Sequence, residues 1–199
     1  MIDDVSIRPA IVFDAMGVLY TDGDDVASVL IPYLRELGCI LPQPKVIQLY
    51  REASLGLLTT DEFWDACGID GDDQVYCQRH QLSSGMAQLL ADLHQAGFKL
   101  GCLSNDVSEW SLILRERFGL TQWIDTWAIS GDIAVRKPDE GAFRTLAEMM
   151  DQPLESIVYF DDLPKNIKAA QDLGMNAIQF TSVAACRALI EKEFMEETD

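Results

Sequence analysis

A small set of polar residues in this chain falls at or just beyond the ends of short apolar runs. Asp14 follows Ala10-Ile11-Val12-Phe13, and Ser104 and Asn105 close the run that starts at Leu100. Asp161 and Asp162 follow Ile157-Val158-Tyr159-Phe160, and Lys137 lies in the loop beyond Thr126-Trp127-Ala128-Ile129. If those runs are parallel strands of one open sheet, their carboxyl ends face a common crevice, where such sheets bind ligands. Three acids, a lysine and a serine would meet there. Chemistry at that point rests on carboxylates. The only histidines, His80 and His94, are both expected on helix surfaces, which argues against a Ser-His-Asp triad or a histidine-rich metal cluster.

The elements that would position these residues are legible from patterning. Helical stretches near 84–96, 107–118, 140–150, 164–173 and 182–193 alternate with the apolar runs, the last of which is 177–180. Continuous apolar strands separated by helices predict an α/β fold, a doubly wound parallel sheet covered on both faces. Gly97 and Gly174 stand where helices should stop, and Pro164 where one should start. Between the first and second runs the alternation breaks. Residues 22–82 show helical patterns at 24–37, 44–55, 60–67 and 72–80 and no strand, which predicts a helical insertion rather than a long loop. The expected organisation is a core of 1–21 and 83–199 with a small helical cap over 22–82.

Composition narrows the function classes. Among 199 residues, 33 acids and 15 bases give a net charge of −18, the opposite of a nucleic-acid-binding footprint. No apolar run approaches the roughly 18 residues of a membrane span, and Met1–Ala10 lacks the basic start and apolar stretch of a secretory signal. Five cysteines without CxxC spacing fit free thiols in a reducing cytoplasm better than a disulfide framework or a zinc site. No nucleic acid and no membrane are expected as partners, and the sequence assigns no oligomeric state.

With its motifs taken together, the chain resembles the haloacid dehalogenase-like (HAD) hydrolases. The residues are Phe13-Asp14-Ala15-Met16-Gly17-Val18-Leu19-Tyr20, Leu103-Ser104-Asn105-Asp106, Arg136-Lys137-Pro138-Asp139, and Tyr159-Phe160-Asp161-Asp162 continuing to Lys165-Asn166 and Gly174. They occur in the family's order and cover roughly residues 10–175. The resemblance implies a Rossmann-like core with a C1-type cap, and an aspartate-nucleophile hydrolase acting on a small anionic metabolite, phosphorylated in the leading reading. By the same resemblance Asp14 is the nucleophile and Lys137 offsets charge beside it. Ser104 and Asn105 bind substrate, and Asp14, the Met16 carbonyl, Asp161 and Asp162 hold Mg2+. Adjacent carboxylates at a buried strand end are costly unless paired, and a cation shared with Asp14 relieves that cost.

One position departs from the family pattern. Its phosphatases carry a second aspartate two residues after the nucleophile as general acid and base, where this chain has Met16. A thioether moves no protons, and general acid–base catalysis typically supplies about 10²–10⁴ in rate. Substrates with good leaving groups, or ones that supply their own acid, are therefore expected. Other readings are an inactive binding or regulatory protein, a dehalogenase, and phosphonate cleavage. Dehalogenases of the family usually lack the acidic pair, and phosphonate cleavage needs a cap lysine, for which only Lys45 is on offer.

Overall fold

The computed structural model describes residues 8–195; the expected core range also takes in 1–7 and 196–199, which lie outside them. Strand β1 (Ala10–Phe13) is followed by helices α1 (Ile31–Glu36), α2 (Gln43–Ala53), α3 (Thr60–Cys67) and α4 (Asp73–Cys77). Then come α5 (Met86–Gln95), β2 (Leu100–Ser104), α6 (Ser108–Arg117), β3 (Thr126–Ile129), the single turn α7 (Ser130–Ile133) and α8 (Glu140–Met150). The chain continues through β4 (Ile157–Asp161), α9 (Pro164–Asp172), β5 (Asn176–Gln179) and α10 (Val183–Ile190). All five strands are parallel, in the order β3-β2-β1-β4-β5. This is the doubly wound sheet expected.

Burial explains why the central strands are apolar throughout. Every residue of β1, β2 and β4 is buried, so both faces need apolar side chains. Ile11 and Phe13 belong to one core with α5, α6 and α10; Ala10 and Val12 belong to the other with Phe143 and Leu146 of α8. Strand β5 lies at the sheet edge and starts one residue earlier than the expected 177–180.

Helices fill the segment between β1 and α5. The chain leaves and re-enters through paired backbone, with Thr21 N–H donating to Gln81 O at 3.0 Å and Ser83 N–H to Leu19 O at 2.8 Å. The helix expected over 24–37 is divided. A π-helical turn, Val26–Leu30, precedes α1, and Ile31 N–H reaches back five residues to Val26 O. Pro32 has no N–H to give Ser28 O, so the ordinary ladder cannot run through this point. The helix expected over 72–80 stops at Cys77. His80 consequently sits beyond the helix and is fully buried rather than on a helix surface, because the chain there folds inward toward the Tyr20–Leu82 bridge. His94, in the last turn of α5, is exposed as expected.

Candidate active site

Register sets the first contacts. Phe13 pairs with Cys102 of β2 on one side and Phe160 of β4 on the other. Asp14 N–H extends that ladder, donating to Phe160 O at 2.8 Å, which brings Asp14 level with Asp161. Strand order reverses at β1, so Asp14 stands at the switch point where open sheets bind ligands. The chain then turns sharply, with Ala15 N–H on Asp14 Oδ1 at 2.6 Å and Gly17 at φ +76°. Gly17 is required for space as well as conformation: a Cβ there would lie 2.5 Å from Asp162 Oδ2.

Lys137 ties the strand ends together. Its Nζ lies 2.8 Å from each of Asp14 Oδ1, Asp161 Oδ2 and the Tyr159 hydroxyl, and the Tyr159 hydroxyl donates to the same Asp161 oxygen. Tyr159 and Asp161 are two residues apart in a strand and so point to one face. Asn105 fixes the backbone that delivers Lys137: its Nδ2 donates to Lys137 O at 2.9 Å, and Lys137 N–H donates to its Oδ1 at 2.8 Å. Asp161 is held further by Asn166 Nδ2, at 3.1 and 2.9 Å from its two oxygens, and by Leu163 N–H at 2.8 Å.

Burial and charge compete at each group. Burial pushes the Asp14 carboxyl well above its ordinary range, against the pull of Lys137. Burial also acts to raise Asp161, but the Lys137 charge and the hydrogen bonds from Lys137, Tyr159 and Leu163 outweigh it and hold Asp161 low. Asp162 is raised by burial and by Asp161 beside it. For Lys137, burial alone would favour the neutral amine, and the charges of Asp14 and Asp161 overcome that to keep it protonated. With all groups ionised, three carboxylates face one ammonium, leaving two negative charges uncompensated.

Asp14, Asp161 and Asp162 each offer an oxygen within 4.8 Å of the other two, and Asp162 Oδ1 is buried without a partner. Hard oxygens, a double negative charge and an orphaned carboxylate oxygen fit a hard divalent cation.

Asp14, Met16, Ser104, Asn105, Lys137 and Asp162 all line one cavity of about 170 Å³. Ser104 Oγ is buried without a partner. A larger cavity of about 790 Å³ adjoins it, sharing Tyr50, Asn105, Arg136 and Lys137 as walls and adding Ile47 and Arg51 of α2. The Tyr50 hydroxyl donates to Asn105 O at 3.0 Å, and the Arg136 guanidinium lies 5.7 Å from the Tyr50 ring centroid. Lys45 is exposed in the first turn of α2 and bonds Gln48 at 3.3 Å. Of the insertion's other aromatics, Trp64 and Tyr76 are core residues, packed on Trp110 at 5.3 and 4.5 Å. Two contributors escaped the sequence reading. Tyr159 looked like one more apolar strand residue, although its two-residue spacing from Asp161 marked a shared face. Asn166, noted only as part of its motif, is 1% exposed and grips Asp161.

Residues 9–174 match the family described as a haloacid dehalogenase-like hydrolase. A flavin mononucleotide hydrolase of Arabidopsis thaliana is 28% identical over 193 residues, spanning 89% of this chain and 76% of its own. A HAD family enzyme from Bacteroides thetaiotaomicron shares the fold at TM-score 0.76 and 19% identity, over 92% of this chain and 98% of that one. Another structure of that enzyme, in complex with magnesium and inorganic phosphate, aligns at TM-score 0.71 and 18% identity, covering 88% and 95% of the two chains.

Proposed function

The chain belongs to the haloacid dehalogenase-like hydrolase family, and from that premise we propose that it is a magnesium-dependent phosphatase of a small phosphorylated metabolite, with Asp14 as nucleophile. The observation that carries the reading is the Asp14–Lys137–Asp161 arrangement at the switch point, with Asp162 beside it. The Asp14 carboxylate attacks phosphorus, the ester oxygen departs, and water then hydrolyses the aspartyl phosphate. Lys137 steers the Asp14 carboxylate and offsets the charge that gathers on the phosphoryl group. Ser104 Oγ, which lacks any partner of its own, donates to a phosphoryl oxygen, while Asn105 acts by fixing Lys137.

Asp14, Asp161, Asp162 and the Met16 carbonyl would hold the magnesium ion. When bound, that ion supplies the positive charge that lets a carboxylate approach an anionic ester. The magnesium and phosphate bound by the Bacteroides enzyme support this assignment. The three clustered carboxylates favour phosphoryl transfer over carbon–halogen cleavage.

Residues 22–82 act as a cap: Tyr50, Ile47 and Arg51 of α2 form one wall of the larger cavity and would select the substrate. The flavin mononucleotide hydrolase makes that nucleotide the first ester to assay. A panel of phosphate esters, with and without magnesium, tests the reading. Turnover should require the metal, vanish in Asp14→Asn, and leave a trappable phosphoaspartate in slow variants. Calorimetry should show magnesium binding weakened in Asp162→Ala. Turnover that survives Asp14→Asn, or equal magnesium affinity in Asp162→Ala, refutes it.

A further inference from the structure

A further acid, apart from the clustered carboxylates, stands in the wall of the cavity that Asp14 and Met16 share. Asp25 precedes the π-helical turn with helical backbone, φ −60° and ψ −29°, and its side chain makes no cap hydrogen bond. It is 4% exposed. Its neighbour Asp24, which also lines the cavity, is exposed and is spent on capping, with Oδ1 accepting from Ala27 N–H at 3.2 Å.

Behind Asp25 lies an arrangement that packing alone does not explain. The Tyr76 hydroxyl donates to Asp25 Oδ2 at 3.2 Å, and His80 Nε2 is 3.8 Å from the same oxygen. His80 is fully buried, and neither ring nitrogen has a hydrogen-bond partner. Leaving a buried polar group unpaired costs about 1–3 kcal/mol. The ring is held edge-on by Tyr20 and Tyr76, at centroid distances of 6.4 and 5.0 Å. Less than an ångström of movement would bring Nε2 to the usual hydrogen-bond length of about 2.9–3.0 Å from Asp25. A histidine placed against the back of a carboxylate whose residue fronts the nucleophile's cavity is a recognisable acid–base arrangement.

We propose that Asp25 is the general acid and base of this enzyme, with His80 as its positioning residue, the pair filling the role that Met16 cannot. The proposal rests on Asp14 being the nucleophile. As the Asp14 oxygen bonds to phosphorus and the P–O ester bond breaks, the protonated Asp25 gives its proton to the departing alkoxide oxygen. The Asp25 carboxylate then removes a proton from the water that attacks the aspartyl phosphate. That step returns Asp14 as carboxylate and Asp25 as acid, and releases inorganic phosphate. The groups facing Asp25 are Tyr50 of α2, Tyr76 and Cys77 of α4, His80 and Asp106, with Asp24 and Arg136 in the cavity wall.

The test compares p-nitrophenyl phosphate, which needs no acid, with glycerol phosphate, which does. Wild type should hydrolyse both. Asp25→Asn should lose about 10²–10⁴ on the alkyl ester and far less in phosphorylation by the aryl ester. Its phosphoaspartate should accumulate, because water is no longer deprotonated, and intact mass reads this directly. Asp24→Asn should lose far less than Asp25→Asn on the alkyl ester. His80→Gln should lower kcat with KM unchanged and displace the acidic limb of the pH profile, which a purely structural defect would not move. Melting curves accompany each variant, and Asp25→Ser replaces Asp25→Asn if the amide prevents folding. Alkyl turnover within a few-fold of wild type in a folded Asp25 variant overturns the proposal, as does an equal loss in Asp24→Asn. Wild-type turnover that is indifferent to Asp14→Asn is a different failure: it removes the nucleophile, and Asp25's role with it.

Discussion

Lys137→Met removes the ammonium that contacts two of the three carboxylates while keeping most of the side chain's volume. Its Nζ contacts Asp14 Oδ1 and Asp161 Oδ2, each at 2.8 Å, with side-chain exposures of 1%, 8% and 0% for Lys137, Asp14 and Asp161. Deleting one partner of a buried ion pair typically costs about 3–5 kcal/mol, because the charge left behind is uncompensated. For a chain of this length that corresponds to a melting temperature lower by roughly 6–20 °C.

The variant has one escape. Burial already holds Asp14 well above the ordinary carboxyl range, and Lys137 is the main charge that pulls it back. The variant's native state therefore binds a proton that the unfolded chain has released, so its stability falls as pH rises, by up to about 1.4 kcal/mol per unit for one proton. Without metal, the deficit against wild type should therefore be larger at pH 8 than near pH 5.5. Millimolar magnesium at pH 8 should narrow it, by supplying the missing charge, without restoring hydrolysis. Melting followed by circular dichroism across that pH range, in chelator and in magnesium, measures all three. A pH 8 deficit under about 1 kcal/mol, or one that ignores pH, would refute the view that Lys137 compensates these acids.

Tyr159→Phe keeps the ring contact with Phe143 at 5.8 Å but removes a hydroxyl shared by Lys137 and Asp161. A loss of roughly 1.5–3 kcal/mol is expected for a hydrogen bond to a charged group, read as a lower denaturant midpoint at equal slope. Gly17→Ala places a Cβ against Asp162 at a φ of +76°; magnesium affinity by calorimetry should drop together with thermal stability. Asp106→Asn tests a buried acid that desolvation, with Asp25 nearby, raises to about 7. Between its unfolded value and that one the native acid holds a proton the unfolded chain lacks, so wild-type stability falls as pH rises from about 4 to 7. The amide variant lacks this loss and should gain on wild type by roughly 3–4 kcal/mol from pH 4 to 8, as denaturant titrations at both pH values would show.

Sequence alone determined most of what depends on local pattern. The strand runs, the helices between them and the acids at strand ends were legible because a strand buried on both faces must be apolar throughout, and a polar residue at its carboxyl end ends that run. Asp14, Ser104, Asn105, Lys137, Asp161 and Asp162 stand out as candidates this way, and parallel topology alone places residues more than a hundred positions apart in one crevice. The fold decided which of them touch. Nothing in the order of residues shows that Asn105 grips both backbone groups of Lys137, or that Lys137 and the Tyr159 hydroxyl converge on one Asp161 oxygen. Those contacts depend on side-chain reach across three loops and on the register of β1 against β4.

The insertion was less legible for the same reason. Its helices are short, their ends shift with Pro32 and with the early stop at Cys77, and polar residue types there gave no sign of burial. His80 is expected on a helix surface by its pattern, and nothing in the residue type of Asp25 marks it as buried. They are interior because Tyr20, Tyr76 and the turn after α4 pack around them, and burial of a polar side chain is set by what the tertiary structure lays over it.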